Sequence, residues 1–222
     1  MPQQSEVGVE QIGIAILAKA PVPGLAKTRL IPRLGAEGAA SLQRWLLHRT
    51  VATACMADTG PVSLWCAPDE NHPDFAACRA AGPLTLKTQP AVDLGQRMLA
   101  AIQANTELAG TLVIGTDCAV LTPADLRSAA DALLAHDAVV IPAEDGGYVL
   151  IGMRKAEATV FENLAWSTST VMAETRQRFA ALGWSVKELP ALWDIDVPED
   201  FDRLSARFPD ASTCVLNSEA GA

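Results

Sequence analysis

The stretch TLVIGTDCAVLTPAD, residues 111–125, places a strand, a polar turn and a helix start in immediate succession. Leu112, Val113 and Ile114 form an uninterrupted apolar run, the pattern of a strand covered on both faces. Gly115-Thr116-Asp117-Cys118 ends that run with small and polar residues. Thr122 then offers a capping hydroxyl, Pro123 suits the first helical position, and Asp125 stands at N3. A buried strand that leads through a polar turn into a helix is the repeating unit of an α/β layer.

Outward from this unit the alternation continues in both directions. Apolar runs at 12–18, 62–67, 84–88, 138–141, 147–151 and 185–189 read as further strands. Segments 37–57, 93–105, 122–136, 169–182 and 198–208 read as helices. Asp93 with Gln96 forms a capping box on the second of these. Residues 20–35 hold Pro21, Pro23 and Pro32, too much proline for a helix or strand, so a stiff loop is expected there. The expected fold class is α/β, a three-layer α/β/α sandwich with a mostly parallel sheet. A single domain is expected over 12–208, with tails at 1–11 and 209–222, the second polar and loose.

Composition narrows the function classes. The chain has 222 residues, 50% hydrophobic and 19% charged, enough to bury a sheet between helices and unlike a disordered or collagenous sequence. Lys and Arg number 17 against 26 Asp and Glu, and a net charge of -9 repels a nucleic-acid backbone. Five cysteines without a CxxC pair and three dispersed histidines give neither a disulfide framework nor a zinc site. A reducing, cytoplasmic setting is expected. The opening residues show no signal peptide, and no run reaches the roughly 18 apolar residues of a membrane helix. Neither nucleic acid nor membrane is therefore expected as a partner.

In a parallel sheet, ligands bind beyond the carboxyl ends of the strands, so the polar residues at strand ends carry the functional information. Four loops stand out. Lys19 closes the first strand, and Lys27, Thr28 and Arg29 follow after Gly24, a set able to hold phosphate or to form a solvated basic loop. The spacing fits neither a P-loop nor the dinucleotide fingerprint. Asp117 follows the strand at 111–115 and can hold Mg2+ or Mn2+, or simply cap a turn. Glu144-Asp145-Gly146-Gly147-Tyr148 reads either as a ligand-contacting turn or as a hairpin. Asp194 and Asp196 precede the last helix. With Glu199 three residues on, Asp196 reads equally as its N-cap or as a metal ligand.

The runs AKAPVPGLAKTRL, LVIGTDCAVLTPADL, PAEDGGYVLIGM, NLAWSTSTVMAET and LWDIDVPEDF together resemble a bacterial family of nucleotide-diphospho-sugar transferase-like proteins. It was long a domain of unknown function, and some members are described as arsenosugar-biosynthesis glycosyltransferases. More distantly the chain is similar to guanylyltransferases of molybdenum-cofactor and coenzyme F420 synthesis and to cytidylyltransferases. The resemblance implies a GT-A-type fold with a nucleotide over its N-terminal half. It implies phosphate binding by Lys19, Gly24, Lys27, Thr28, Arg29 and Arg97, and a metal on Asp117 and Asp196 with Asp194 beside it. Asp145, Gly146, Gly147 and Tyr148 fall on the acceptor side, and Lys27, Arg29 and Asp145 become the catalytic candidates. One position departs: Ala119 stands where relatives carry proline, which is expected to loosen the turn holding Asp117.

The reading that follows is a Mg2+- or Mn2+-dependent transferase taking a nucleotide or nucleotide-sugar and a small acceptor. Glycosyl transfer comes first. Nucleotidyl transfer, guanylyl- or cytidylyl-type, onto a phosphorylated small molecule is the alternative, and a non-catalytic nucleotide-binding protein is a third.

Overall fold

A computed structural model describes the chain from residue 10 to residue 219. The apolar runs become β1 (Ile12–Lys19), β2 (Val62–Ala67), β3 (Thr85–Thr88), β4 (Gly110–Ile114), β5 (Ala138–Pro142), β6 (Tyr148–Met153) and β7 (Val186–Glu188). They form one seven-stranded sheet in the order β3-β2-β1-β4-β6-β5-β7. β1 runs parallel to β2 and β4, β2 to β3, and β5 to β7. Only β6 is antiparallel, to β4 and β5. The sheet is mostly parallel.

Helices cover both faces. They are α1 (Ile31–Ala57), α2 (Pro73–Ala77), α3 (Leu94–Gln103), α4 (Pro123–Ala135), α5 (Val171–Ala181), α6 (Pro198–Arg207) and α7 (Pro209–Glu219). The alternation along β1 sorts the core: Ile14 and Ile16 meet Leu47 and Val51 of α1 and Leu126 and Leu133 of α4. Ala15 faces the opposite layer, with Met98 and Ile102 of α3 and Met172 and Phe179 of α5. Leu64, Leu112 and Ile114 are wholly buried, each contributing about 1.5–3 kcal/mol by leaving water. Thr122 and Asp125 close the expected capping box on α4.

The order of the strands fixes where a ligand can sit. The chain builds outward from β1 to β2 to β3, then returns to the other side of β1 with β4. That reversal leaves a crevice beyond the carboxyl ends of β1 and β4. Lys19 ends β1, and Asp117 follows β4.

Three local expectations differ from the structure. Residues after 208 were expected to be a loose tail, yet α7 is helical and buries Ala211 and Val215 among Leu42, Leu46 and Phe201. Asp196 does not cap α6. Val197 holds that position, and Asp200 Oδ2 accepts from the backbone N–H groups of Asp196 and Val197, both at 2.9 Å. The helix of residues 37–57 also begins earlier, at Ile31, with a break at Gly35 (φ 66°, ψ 170°).

Candidate active site

The loop between β1 and α1 is built by its own backbone. Ala20 N–H donates to Ala67 of β2, and Leu25 and Ala26 N–H both donate to the Val22 carbonyl. Gly24 (φ 80°) has nothing within 4 Å of where a Cβ would stand, so glycine is there for its left-handed backbone, not for space. Lys27 also adopts a left-handed backbone, φ 48° and ψ 45°, immediately before the single turn Thr28–Leu30.

That conformation sends the two cations onto two carboxylates. Lys27 Nζ lies 2.8 Å from Asp117 Oδ1 and donates to the Ile195 carbonyl. The Lys27 side chain is 5% exposed, whereas Asp117 is 46% exposed and keeps an oxygen toward solvent. Arg29 pairs with Asp196 at the surface. Ile195 N–H donates to the Asp117 carbonyl at 3.0 Å, so the stretch before α6 is tied to the end of β4. Buried Gln43 of α1 donates to Thr116 Oγ1 at 3.1 Å and to the Lys19 carbonyl at 3.4 Å, joining the ends of β4 and β1. Arg49 Nε holds the buried Ala119 carbonyl at 2.7 Å, which anchors the turn where proline is absent.

The far wall comes from the β5–β6 hairpin and the segment before α5. Asp145 Oδ1 accepts from Gly147 N–H at 2.9 Å, the hairpin form of the turn. Gly146 (φ 94°) presses on Ser169, whose carbonyl would be 2.3 Å from an added Cβ. Met172 N–H donates to the Gly146 carbonyl at 2.9 Å. Tyr148 turns its hydroxyl inward, 3.9 Å from Met98 Sδ, and this loss of water pushes the phenol far up. At the third wall, Arg97 donates to the Val92 carbonyl at 2.7 Å and to Gln89 Oε1 at 3.5 Å. Gln89 in turn donates to the Ala18 and Trp65 carbonyls at 3.0 and 2.7 Å.

These walls enclose a cleft of about 630 Å³, within the range that takes small-molecule ligands. Every residue that the resemblance implies as a phosphate, metal, acceptor-side or catalytic residue lines it except Gly24 and Gly146. Lys27 and Asp117 both line the cleft and touch. Gln43, Gln89, Thr116 and Trp166 also line the cleft and were not among the candidates; Gln43, a single buried glutamine within α1, leaves no local pattern.

Charge in the cleft is unevenly compensated. Asp194 is pushed up to about 6, first by burial and then by Asp145, Asp117 and Asp196. Lys27 and Arg29 pair with Asp117 and Asp196, and Asp194 has no ion-pair partner among the described residues. The oxygens of Asp194, beside Asp117 and Asp196, are of the kind a hard divalent cation takes. Among the described residues no three His, Cys, Asp or Glu side chains converge to hold a metal by themselves. That suits Mg2+, which is commonly held by one or two carboxylates together with substrate phosphates.

The profile of a family described as an uncharacterized protein conserved in bacteria (DUF2064) matches residues 50–168. The chain belongs to this family. Among solved structures, this DUF2064 protein is similar to a candidate nucleotide-diphospho-sugar transferase from Desulfovibrio desulfuricans G20. The two are 27% identical over 94% of this chain and 95% of the other, with a TM-score of 0.81. A 4-diphosphocytidyl-2C-methyl-D-erythritol synthase from Anaerococcus prevotii is 13% identical over 90% and 97% of the two chains, with a TM-score of 0.63. Rv0371c from Mycobacterium tuberculosis, in complex with manganese, is 18% identical over 87% and 97%, with a TM-score of 0.51. No curated protein matches the chain. The DUF2064 protein thus has the mixed α/β fold shared by nucleotidyltransferases. Among the described residues no helix is long and apolar enough to cross a membrane.

Proposed function

We propose that this protein is a nucleotidyltransferase of GT-A-type fold that joins a nucleoside monophosphate unit to a phosphorylated small molecule. One observation carries the reading: Lys19, Lys27, Arg29 and Asp117 meet at the strand-order reversal between β1 and β4, in a cleft of about 630 Å³. Cations beside a carboxylate at that position suit a triphosphate whose terminal oxygens need neutralising. The cytidylyl-type synthase among the similar folds supports nucleotidyl over sugar transfer.

In this reading an oxygen of the acceptor phosphate attacks the α-phosphorus of the nucleotide. The α–β anhydride bond breaks, and pyrophosphate leaves with the electron pair. The acceptor phosphate is already ionised at neutral pH, so no base is required. Lys19 and Arg29 stabilise charge on the phosphoryl oxygens as it shifts toward the leaving group. Arg97, held by Gln89 and the Val92 carbonyl, orients a phosphate on the α3 side. A bound Mg2+ or Mn2+ would screen the triphosphate, with Asp117 and Asp194 or Asp196 holding it. The manganese complex of Rv0371c supports such a site.

Glycosyl transfer has one observation in its favour. Asp194 and Asp145 interact at the acceptor side, and a carboxylate raised to about 6 is a competent base for an acceptor hydroxyl. The name of the Desulfovibrio relative points the same way. The deciding experiment incubates the protein with Mg2+, a panel of sugars, polyols and their phosphates, and either GTP or CTP or a nucleotide-sugar, and reads release of pyrophosphate and of nucleoside diphosphate. Nucleotidyl transfer releases pyrophosphate only with an acceptor. Release of a nucleoside diphosphate from a nucleotide-sugar, without pyrophosphate, selects the glycosyl reading instead.

A further inference from the structure

The Lys27 ammonium is withdrawn from solvent and already satisfied. Its side chain is 5% exposed, Nζ lies 2.8 Å from Asp117 Oδ1, and it also donates to the Ile195 carbonyl. Lys19 at the mouth of the same cleft is exposed and has no ion-pair partner among the described residues. The two lysines therefore do different work.

The acceptors around Lys27 are a carboxylate and a backbone carbonyl, the oxygen set that a hard divalent cation takes. Asp117 shares the cleft with Asp145, Asp194 and Asp196, and with no ligand bound the Lys27 ammonium lies against it. The left-handed backbone at Lys27 and the turn after it hold the ammonium in that place. The ammonium donates one hydrogen bond, to the Ile195 carbonyl, and forms an ion pair with Asp117.

We propose that Lys27 is a tethered stand-in for the divalent cation, holding Asp117 until nucleotide phosphates draw its ammonium away, so that metal binds tightly only together with nucleotide. The proposal rests on the nucleotidyl-transfer reading and adds to it an order of binding. Phosphate oxygens compete for the ammonium through charge-assisted hydrogen bonds, and Asp117, 46% exposed, is then open to the metal. Metal alone meets a carboxylate that is already neutralised.

The test is Mn2+ binding, followed by electron paramagnetic resonance. Wild type, Lys27→Met and Lys19→Met are each titrated alone and with non-hydrolysable GTP and CTP analogues, with the analogues' own chelation measured in protein-free controls. Wild type is expected to bind Mn2+ weakly alone and at least about tenfold more tightly with the matching nucleotide, within the usual range of coupling between sites. Lys27→Met is expected to bind Mn2+ alone at least about tenfold more tightly than wild type, while Lys19→Met alone behaves as wild type. The paired wild-type titrations decide the matter even if Lys27→Met does not fold. Equal Mn2+ affinity in wild type with and without a nucleotide that binds overturns the inference and leaves the functional reading standing. So does a folded Lys27→Met that binds Mn2+ no more tightly. If neither nucleotide binds in any form, both fall.

Discussion

Replacing Asp194 with Asn removes a charge that the folded protein holds at a cost. Burial, together with Asp145, Asp117 and Asp196, raises this carboxyl from 3.8 to about 6. A raised acid binds more protons when folded than when unfolded. Its contribution to stability is therefore greatest below about pH 4 and falls as pH rises toward 6, leaving the full penalty at neutral pH. Taken whole, the displacement corresponds to about 3 kcal/mol. Asp194 stays partly open to water, and solvent screening reduces this to about 1–2 kcal/mol. Asp194→Asn keeps the shape and removes the charge. It should raise the urea-derived stability at pH 8 by about 1–2 kcal/mol, and Tm by about 2–8 °C for a chain of this size. At pH 4 the gain should vanish. Urea unfolding of both proteins from pH 4 to 8, in metal-free buffer, measures it. A variant no more stable than wild type at pH 8, or one whose advantage is independent of pH, would refute the reasoning.

Two further substitutions probe the walls of the cleft. Gly146→Ala forces a side chain into a left-handed backbone and sets its Cβ 2.3 Å from the Ser169 carbonyl. It should cost more than about 2 kcal/mol in urea unfolding, since strain and backbone clash add. Gln89→Leu removes the two hydrogen bonds to the ends of β1 and β2 and one partner of Arg97, and should cost about 1–3 kcal/mol. Nucleotide affinity in Gln89→Leu should fall more than the loss of stability explains, checked by calorimetry at a temperature where the variant is fully folded.

The layers of this fold were legible because most strands are short apolar runs and α3 and α4 carry capping signals at their starts. Ile14, Ile16, Leu112 and Ile114 are buried wherever a covered sheet is built, so local pattern and tertiary structure agree. α2 has a single turn's worth of sequence and starts with the His72 ring accepting from Asp74 N–H, which leaves no periodicity to read. α7 exists by virtue of packing: Ala211 and Val215 fill a cluster with α1 and α6, and Trp45 Nε1 donates to Asp210 at 2.9 Å. Those contacts join distant parts of the chain, and a polar composition hides them. Asp196 reads as a possible α6 cap because Glu199 completes a plausible box, yet Asp200 lies one residue later and takes both N–H groups.

At the site, residue types were readable and their pairing was not. Lys27, Arg29, Asp117 and Asp196 were identifiable as ends of elements, since polar residues after buried strands have no packing reason to be there. That Lys27 rests directly on Asp117 depends on a left-handed backbone at a residue other than glycine, which sequence does not announce. Asp194 gains its character from burial first and then from three other carboxylates, both set by tertiary structure.

The claim beneath this account is that the crevice beyond β1 and β4 grips nucleotide phosphates through loop cations and a metal on Asp117. Calorimetric titration of GTP and CTP in Mn2+ into wild type and Asp117→Ala addresses it directly. Saturable binding of one nucleotide by wild type, abolished in the folded variant and in chelator, is the predicted result. Binding of equal strength in both proteins, unchanged by chelator, would contradict it.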